Sequence, residues 1–571
     1  MKRLFFLLPF YLLPLTLPAQ TTKPFPVSLH GSIQSDWLVP QEDTNIGAQD
    51  YDEFALTNTY VDLNLISQYV DAGTRFEFLK YPLPGYEDGN GFSGYGLPFF
   101  YATGKYKKAK LTIGDFYDQF GNGLIFRTYE DRNIGVDNSL RGARLFLEPF
   151  QGVQFKALGG QQRRYWEHNA GAVWGSDLEL HIDQWIRKMA ETNTYLMLGG
   201  SFVSKNEPDE DVFTDATHRL NLPRNVGAFD VRAQLQKGNF SFLAEYAEKA
   251  NDPSKDNGYI YKKGNALLLS GSYAKTGMSI LLQAKRSDNM TFRSKRSDMK
   301  NPSFINRLPA FTAQQTYALA TLYPYATQPD GEWAFQGTVS YNFKRKTLLG
   351  GKYGTTLKLN VSHIRNIDKY YVIDYNPSNI QSQWALKGTD GYTSSFFKFG
   401  KELYYQDINL SLDKKITQDF KLNLMYMNQK YNPKVVRNEP EDIITSNIFI
   451  AEGKYNINKK MTLRAEAQYL HASDYTGEAA IEHLDRVNQG DWLAGVLELS
   501  VLPYFMFTVQ DMYNSGATDI HYYKALVSFT CHAHFIQFGY GRTRAGRDCS
   551  GGVCRDVPAS RGFILSYNYN F

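Results

Sequence analysis

The sequence predicts an all-β fold, a transmembrane antiparallel β-barrel of roughly 22 to 26 strands. Short segments in which apolar and polar residues alternate recur along the chain, as expected for strands. Aromatic residues are abundant, with 40 Tyr and 38 Phe among 571 residues, and barrels need aromatic girdles at both membrane interfaces. After the amino-terminal segment, no apolar run reaches the roughly 18 residues that a membrane helix requires. A membrane protein built from helices is therefore excluded, whereas a barrel is compatible with this pattern.

The amino terminus has the layout of a secretory signal peptide. Lys2 and Arg3 precede the apolar run 4–17, and small residues follow it up to Ala19. We expect residues 1–19 to be this signal peptide and residues 20–571 to form one outer-membrane β-barrel with long extracellular loops. No cysteine stands at the cleavage point, so a lipoprotein is not expected. The chain has 62 Lys and Arg against 58 Asp and Glu, and this near balance gives no reason to expect nucleic acid as a partner.

The predicted strand 461–469 carries the best internal argument for a barrel. Its apolar face consists of Leu463, Ala465, Ala467 and Tyr469. Its polar face contains the charged pair Arg464 and Glu466. Such a pair on an inner face is costly in a dry core but ordinary in a water-filled lumen. The barrel is therefore favoured over the alternative, a soluble β-sandwich.

Residues 562–571 form an alternating strand that ends on an aromatic carboxy-terminal residue. Phe563, Leu565, Tyr567, Tyr569 and Phe571 fall on one face, which suits a wall between lipid and water. The segment resembles the terminal signal by which bacterial outer-membrane barrels are recognised for insertion. This resemblance implies that Tyr567, Tyr569 and Phe571 are an insertion signal read by the barrel-assembly machinery, and that Phe571 lies at the periplasmic end. The last strand of a soluble sandwich would also alternate.

Predicted turns come in two sizes, which is the usual asymmetry between the periplasmic and extracellular ends of such barrels. Short turns are predicted at 237–239, 275–277 and 458–460. Long loops are predicted at 82–96, 205–224, 251–257, 289–309, 368–390 and 474–490, the last with a short helix at 477–488. Strand-like sequence begins at Val27, so no separate plug domain is expected. The lumen of so wide a barrel is then either open or filled by loops that fold inward.

The segment 111–144 is the most distinctive part of the chain. Strand alternation breaks there, charges of both signs crowd together, and Gly121 and Gly123 permit a tight backbone turn. It resembles the part of wide porins in which a strand ends in a phenylalanine-glycine turn and the next loop folds into the pore. Together with the carboxy-terminal region, it makes the mature chain similar to an uncharacterised, porin-like Bacteroidota outer-membrane β-barrel family. The resemblance implies the fold and a place in the bacterial outer membrane, and it brings no known activity.

The charged residues of this segment are candidates for a constriction of the lumen. Arginines on one side would face acidic residues on the other and set a transverse field that sorts solutes. The candidates are Arg127, Arg132, Arg141 and Arg144 opposite Glu130, Asp131 and Asp137. The alternative is a salt-bridged network that braces a loop or fills the barrel.

Cys549 and Cys554 are predicted to form a disulfide, the default for two nearby cysteines in an exported protein. Gly551 and Gly552 between them allow the close turn that a small ring needs. A zinc site would require two further ligands. The pair lies in the loop before the last strand, which we expect outside the cell. Basic residues beside it are suited to lipopolysaccharide phosphates or a partner, but a merely solvated loop is the favoured explanation.

A second motif, Cys531 with His532 and His534, looks like a set of metal ligands. It also stands where one predicted strand turns into the next. A tight periplasmic turn explains the motif without a metal, because no further ligand can be assigned from the sequence. We expect neither a metal nor another cofactor.

Nothing in the sequence recommends catalysis. The histidines His168, His363, His471 and His521 are scattered, and no serine motif accompanies them. The first hypothesis is a porin-like channel for small hydrophilic solutes. The alternative is a non-catalytic barrel subunit of an outer-membrane protein complex, with a filled lumen, and a barrel lipid hydrolase is least favoured. The expected partners are outer-membrane lipid, lipopolysaccharide, the barrel-assembly machinery and other outer-membrane proteins.

Overall fold

A computed structural model describes the chain over residues 27–86, 91–299, 301–376, 379–439, 442–473 and 489–571. The predicted signal peptide, residues 1–19, and the helix predicted at 477–488 lie outside these ranges. The helices within the ranges are short, and none has the length and apolar character of a membrane span. The rest of the described chain consists of β-strands and their connections.

Across the described ranges, 24 strands form one antiparallel sheet, and four short strands form two separate hairpins. The first strands are β1 Ser28–Pro40, β2 Leu56–Ile66, β3 Val70–Leu79, β4 Gly94–Tyr106, β5 Ala109–Phe116, β6 Glu130–Asp131, β7 Val136–Asp137, β8 Leu140–Leu147, β9 Val153–Arg164, β10 Glu167–His181, β11 Thr194–Asn206, β12 Asn225–Lys237, β13 Phe240–Lys249 and β14 Gly264–Lys275. The others are β15 Met278–Asp288, β16 Glu332–Phe343, β17 Thr355–Tyr371, β18 Tyr392–Lys415, β19 Phe420–Tyr431, β20 Ile444–Asn456, β21 Met461–Ala472, β22 Trp492–Val501, β23 Phe505–Asn514, β24 Ile520–Cys531, β25 His534–Thr543, β26 Gly546–Ser550, β27 Val553–Val557 and β28 Ser560–Asn570. Three short helices are α1 Arg187–Glu191, α2 Ile380–Leu386 and α3 Pro433–Val436.

The sheet closes on itself because its last strand pairs with its first. β28 is antiparallel to β1, with a register that runs from Ser32 opposite Asn570 to Pro40 opposite Gly562. β5 pairs directly with β8 and β25 with β28, so the hairpins β6–β7 and β26–β27 stand outside the wall. Closure leaves no strand edge with unpaired backbone groups. The predicted all-β antiparallel barrel is confirmed, and its strand count falls within the predicted range.

Alternation along the strands sorts side chains to the two faces of the wall. On β28, Phe563 and Leu565 are 42% and 39% exposed, and Leu565 lies opposite Trp37, which is exposed to the same extent. On β21, Arg464 and Glu466 take the opposite face, where they form an ion pair. The outer face is therefore apolar and aromatic, and the inner face carries the charges, as the strand pattern predicts.

The two rims of the barrel differ. One, here called the short-turn rim, contains Ser28 and Asn570 and has tight turns such as 107–108 and 238–239. The other, the long-loop rim, contains Pro40 and Ser560 and has long connections such as 207–224 and 289–331. The loop that was predicted to end at Pro309 thus continues to residue 331. Its second half is rich in apolar and aromatic residues because it enters a buried core.

Three connections of the long-loop rim fold into the lumen: 117–139, 289–331 and 544–559, which contains the hairpin β26–β27. The first two are joined by backbone hydrogen bonds, from the Arg127 amide to the Ile305 carbonyl at 2.8 Å and from the Arg307 amide to the Gly123 carbonyl at 3.0 Å. Their apolar side chains and inward-facing wall residues form one buried cluster. Members of this cluster include Phe120, Phe126, Phe292, Phe311, Leu319, Val203, Ile364, Met427, Leu470 and Trp492. The core of the molecule therefore lies inside the barrel.

Substitution of Gly142 in β8 tests how closely this strand approaches β9. It lies opposite Gly160 of β9, and a Cβ atom at Gly142 would be 2.0 Å from the Gly159 carbonyl oxygen. We expect Gly142→Ala to lower the free energy of unfolding by about 1–3 kcal/mol, since the backbone must shift to admit the methyl group. Urea unfolding of the refolded barrel, followed by tryptophan fluorescence, measures this effect.

The matched control is Gly271→Ala in β14, where a Cβ atom would have no neighbour within 4 Å. We expect this variant to keep or slightly raise the unfolding midpoint, because alanine reduces the entropy of the unfolded chain. Equal midpoints for the two variants would contradict the close approach of β8 and β9.

Candidate functional site in the barrel lumen

The loop 117–139 brings most of the predicted constriction residues into the lumen. Gly121 and Gly123 have φ values of +48° and +85°, so glycine is needed for the turn by which the chain leaves the wall. Phe120 and Phe126 then anchor the loop in the buried core, with ring centroids 4.9 Å apart. The hairpin β6–β7 follows and pairs Glu130 directly with Asp137. The loop therefore presents acidic groups as neighbours.

These acidic groups meet arginines of the adjacent wall in a buried network. Arg75 of β3 lies 2.7 Å from Glu77 and 2.8 Å from Glu130, and it also pairs with Asp137. Arg163 of β9 lies 2.7 Å from Glu77 and 2.7 Å from Asp137. We call these five residues the lumen network. Buried charges are tolerated when each has partners of opposite charge, and removal of one partner leaves an uncompensated charge.

Two members of the lumen network have shifted pKa values. Burial by itself raises the pKa of Asp137, but Arg163 and Arg75 outweigh it and hold that pKa below its ordinary value. Burial dominates at Glu130 and raises its pKa, although Arg75 opposes the shift. The contribution of Asp137 to stability is therefore present above the ordinary aspartate pKa and is lost as the pH falls through the lowered value.

Arg132 and Arg144 also form ion pairs with nearby carboxylates. Arg132 lies 2.5 Å from Glu130 and 2.8 Å from Asp62 of β2. Arg144 of β8 lies 3.4 Å from Asp118. The structure thus places cations and anions next to each other, not in two rows across an open lumen. This arrangement corresponds to the alternative in which the charges brace a loop.

Arg141 and Asp131 stand apart from the lumen network. Arg141 is three residues from Arg144 on one strand, and an odd separation turns the two side chains to opposite faces. Its guanidinium lies 2.9 Å from Asp115 and 4.6 Å from the ring centroid of Phe100, which is 48% exposed on the outer face. Arg141 therefore cannot line a constriction. The Asp131 carboxylate accepts a hydrogen bond from the Asn133 amide at 3.1 Å.

Sequence reasoning missed Asp62, Arg75, Glu77 and Arg163, which hold the loop to β2, β3 and β9. A signal for one pair was present, because Arg75 and Glu77 repeat the spacing of Arg464 and Glu466 on an inner face. The contacts between strands distant in the chain had no such signal.

The predicted disulfide is confirmed between Cys549 and Cys554, which face each other across β26–β27. The hairpin tip, with Gly551 and Gly552, folds over the lumen instead of projecting into solvent. The Thr327 amide donates to the Gly552 carbonyl at 3.0 Å, and the Arg307 guanidinium donates to the Ser550 carbonyl. The hairpin is therefore a cover on the loop 289–331.

The arginines beside the disulfide are largely occupied by protein groups. Arg547 lies 2.7 Å from Asp556, and Arg555 lies 3.8 Å from the ring centroid of Tyr86. Their side chains are 18% and 12% exposed. A basic rim free to meet lipid phosphates, which the sequence suggested, is therefore not found at these two positions.

The proposed insertion signal lies at the short-turn rim. The Phe571 amide donates to the Gly31 carbonyl at 3.0 Å, which extends the seam between β28 and β1. The rings of Tyr569 and Phe571 stack at 5.4 Å, and His534 stacks on Tyr569 at 4.2 Å. His534 pairs with Cys531, so this motif forms a tight turn. Whether Tyr567, Tyr569 and Phe571 act in insertion stays a prediction.

The four scattered histidines lie beside acidic or amide side chains. Within the described ranges, no group of three or more His, Cys, Asp or Glu side chains is arranged to hold a metal ion. His471 and His521 pair with Asp491 and Asp511 at 3.1 and 2.7 Å. His363 contacts Gln406 and His168 lies 3.7 Å from Asp115, so none of these four described histidines is hydrogen-bonded to a serine.

Two cavities lie beneath the disulfide hairpin. One of about 560 Å³ lies between the hairpin and residues 310–325, with Tyr323, Tyr405 and Arg544 in its wall. The other, of about 230 Å³, is bounded by Arg307, Asn306 and Gly552. A larger groove of about 800 Å³ lies among apolar residues of β13 to β17. The two spaces beside the hairpin have polar and charged side chains in their walls, including Arg544 and Arg307.

Fold and site together define a large outer-membrane-type β-barrel whose lumen is occupied by its own loops. The chain belongs to DUF6029, a family of unknown function, whose model matches residues 1–571. A comparison with curated proteins gave no match.

Several solved structures share the barrel architecture at low similarity. The siderophore receptor PirA from Pseudomonas aeruginosa has 9% identity and a TM-score of 0.39, over 95% of this chain and 80% of that one. OccAB3 from Acinetobacter baumannii has 10% identity and a TM-score of 0.33, over 96% and 99%. The translocation pore of the P pilus usher PapC has 10% identity and a TM-score of 0.37, over 95% and 99%. These values carry no conclusion about function.

Arg163→Gln tests whether the lumen network holds the loop 117–139. The substitution leaves Glu77 and Asp137 with Arg75 as their shared cation, so we expect the free energy of unfolding to fall by about 3–5 kcal/mol. The control is Arg187→Gln, because the Arg187 and Glu191 side chains are 92% and 59% exposed and such an exposed pair contributes at most about 1 kcal/mol. Urea midpoints in the same detergent give both values, and a loss at Arg163 no larger than that at Arg187 would refute the bracing role.

Proposed function

We propose that the protein is a bacterial outer-membrane β-barrel that acts as a porin-like channel for small hydrophilic solutes, with a passage narrowed by its own loops. The observation that carries the proposal is the combination of an apolar outer wall with a charged inner wall. A closed barrel satisfies its backbone hydrogen bonds within lipid, as a membrane-spanning sheet must. The long-loop rim would face the outside of the cell, and the Phe571 rim the periplasm.

Partly exposed charges on the inner wall support a hydrated lumen towards the short-turn rim. Arg464 lies 3.0 Å from Glu452 and 3.8 Å from Glu498, and the three side chains are 27%, 22% and 23% exposed. Ionic groups keep this exposure only where water reaches them. A hydrated space of this kind at one end of the lumen is expected in a channel and is not expected in a fully packed interior.

The inward-folded connections argue against a wide general pore. A barrel of this size with an empty lumen would leave a broad aqueous channel. Here the loop 289–331 crosses towards the far wall, where the Leu319 amide donates to Gln468 of β21 at 2.9 Å. The Tyr317 hydroxyl also contacts Asn423 of β19 at 3.2 Å. Solutes would therefore pass beside packed loops.

The second candidate is a non-catalytic barrel subunit of an outer-membrane complex. It is favoured by the buried cluster that extends inside the lumen from Leu158 of β9 to Tyr522 of β24. In this case the loops close the lumen, and the long-loop rim holds partner proteins. Lipopolysaccharide, outer-membrane lipid and the barrel-assembly machinery are proposed partners in both cases, and nucleic acid is not.

Single-channel recording in a planar bilayer separates the two candidates. We expect the wild-type barrel to give small ohmic currents. Replacement of residues 310–325 by a short Gly-Ser linker should raise the conductance several-fold, because it removes the segment that crosses the lumen while the wall stays intact.

The control deletes residues 211–218 from the exposed part of the loop 207–224, and we expect it to leave the conductance unchanged. Correctly folded wild-type protein that is silent in the bilayer would sink the channel and favour the subunit. Current that does not change when residues 310–325 are replaced would place the passage elsewhere.

We also propose that the protein is not an enzyme. A lipid-hydrolysis assay on the purified barrel should give no turnover. Turnover that disappears on alanine substitution of His168, His363, His471 or His521 would reverse this conclusion and identify a barrel hydrolase.

A further inference from the structure

Two arginines of the lumen, Arg127 and Arg307, have no acidic partner in the part of the chain that the structure describes. Most buried arginines of the interior lie within 3.3 Å of a carboxylate, as do Arg75, Arg163, Arg232, Arg286 and Arg296. Among the described residues, no carboxylate lies within 4.0 Å of the guanidinium group of Arg127 or Arg307. Arg307 is nevertheless only 8% exposed. An uncompensated buried cation is costly. The cost is greater here because a second cation, the half-buried Arg127, lies beside Arg307, and a bound anion would compensate both.

The two arginines are held together by a built framework. The Arg127 guanidinium lies 5.2 Å from the ring centroid of Tyr129, and that of Arg307 lies 4.4 Å from the same centroid. Their loops are joined by the backbone bonds that link Arg127 to Ile305 and Arg307 to Gly123. Burial, followed by repulsion from Arg307, lowers the pKa of Arg127. The positions are therefore set by two folded loops and not by a flexible surface.

The hairpin tip leaves a cavity beside Arg307, the more buried of the two arginines. Arg307 lines the cavity of about 230 Å³ with Asn306 and Gly552. Gly551 has a φ of +52°, which favours glycine, and it lies so near Arg307 that a Cβ atom would be 2.5 Å from Nη2 unless that side chain shifted. The acidic residue that also lines this cavity, Asp556, is engaged with Arg547.

We propose that Arg127, Tyr129 and Arg307 form a binding site for the oxyanion group of a small solute, a phosphate or a carboxylate, beneath the disulfide hairpin. The planar guanidinium groups match the geometry of oxyanions and give strong charge-assisted hydrogen bonds. The bound oxyanion supplies the negative charge that the protein itself does not place there. The site deepens the proposed channel, since a cationic site in a narrowed passage favours anions over cations.

Isothermal titration of the detergent-solubilised full-length barrel with inorganic phosphate tests the site directly. A parallel titration with succinate distinguishes phosphate from carboxylate recognition. We expect at least one of the two anions to bind. Arg127→Gln and Arg307→Gln should each weaken that binding at least about tenfold, because each removes charge-assisted hydrogen bonds.

The matched control is Arg345→Gln, because Arg345 is exposed near the short-turn rim and has no ion pair among the described residues. It should leave the affinity unchanged. Arg307→Lys keeps the charge but loses the planar guanidinium group, so we expect this variant to bind the anion with intermediate affinity. It also shows whether the weaker binding of the glutamine variants comes from the lost contact or from misfolding. Failure of both anions to bind, or equal binding by the Arg127, Arg307 and Arg345 variants, would overturn the site.

The titration does not depend on conduction, so the two proposals fail separately. Anion binding by a barrel that is silent in the bilayer would remove the channel and keep the site. Ohmic current without anion binding would remove the site and keep the channel.

Discussion

The pairing of β28 with β1 is the constraint on which the rest of the structure depends. Backbone groups in lipid have no water to bond, so a sheet that spans a membrane must close. Here closure joins the two ends of the described chain, and it continues past the strand through the bonds between Gly31 and Phe571. With 24 strands of the described ranges in the ring, the wall encloses a wide interior. The connections between the strands then determine how this interior is filled.

The chain fills this interior in two physically different ways. Towards the long-loop rim, the connections 117–139 and 289–331 bury aromatic and aliphatic side chains against the wall. Towards the short-turn rim, charges such as Arg464 stay partly exposed to water. Towards the same long-loop rim, the lumen network pairs each of its five charged side chains with groups of opposite charge. A network of this kind fixes where a loop sits more strictly than apolar packing does, because a displaced loop would leave several charges unpaired.

The wall could be predicted from the sequence far better than its contents. Strand alternation depends on neighbouring residues, so the faces of β21 and β28 were readable directly, and so was the short disulfide ring. The odd number of positions between Arg141 and Arg144 would also have placed them on opposite faces of the strand. The partners of Asp137, by contrast, come from β3 and β9, and Arg307 reaches Tyr129 from another loop. Such contacts depend on how long connections fold in space, which a local pattern does not encode. The apolar segment 310–325 resembles a strand of the wall in composition, yet it packs inside the lumen as part of the buried core.

The disulfide hairpin adjoins the strand that closes the wall, and its tip covers the loops that fill the lumen. β26–β27 is inserted between β25 and β28, so one end of the hairpin continues into the closing strand β28 and the other into its neighbour β25. Its tip contacts Arg307 and Thr327 of the loop that crosses the lumen. The hairpin is therefore held by the pair β25–β28, and β28 also closes the wall against β1. One strand thus takes part both in the closure of the barrel and in the placement of the cover above Arg307.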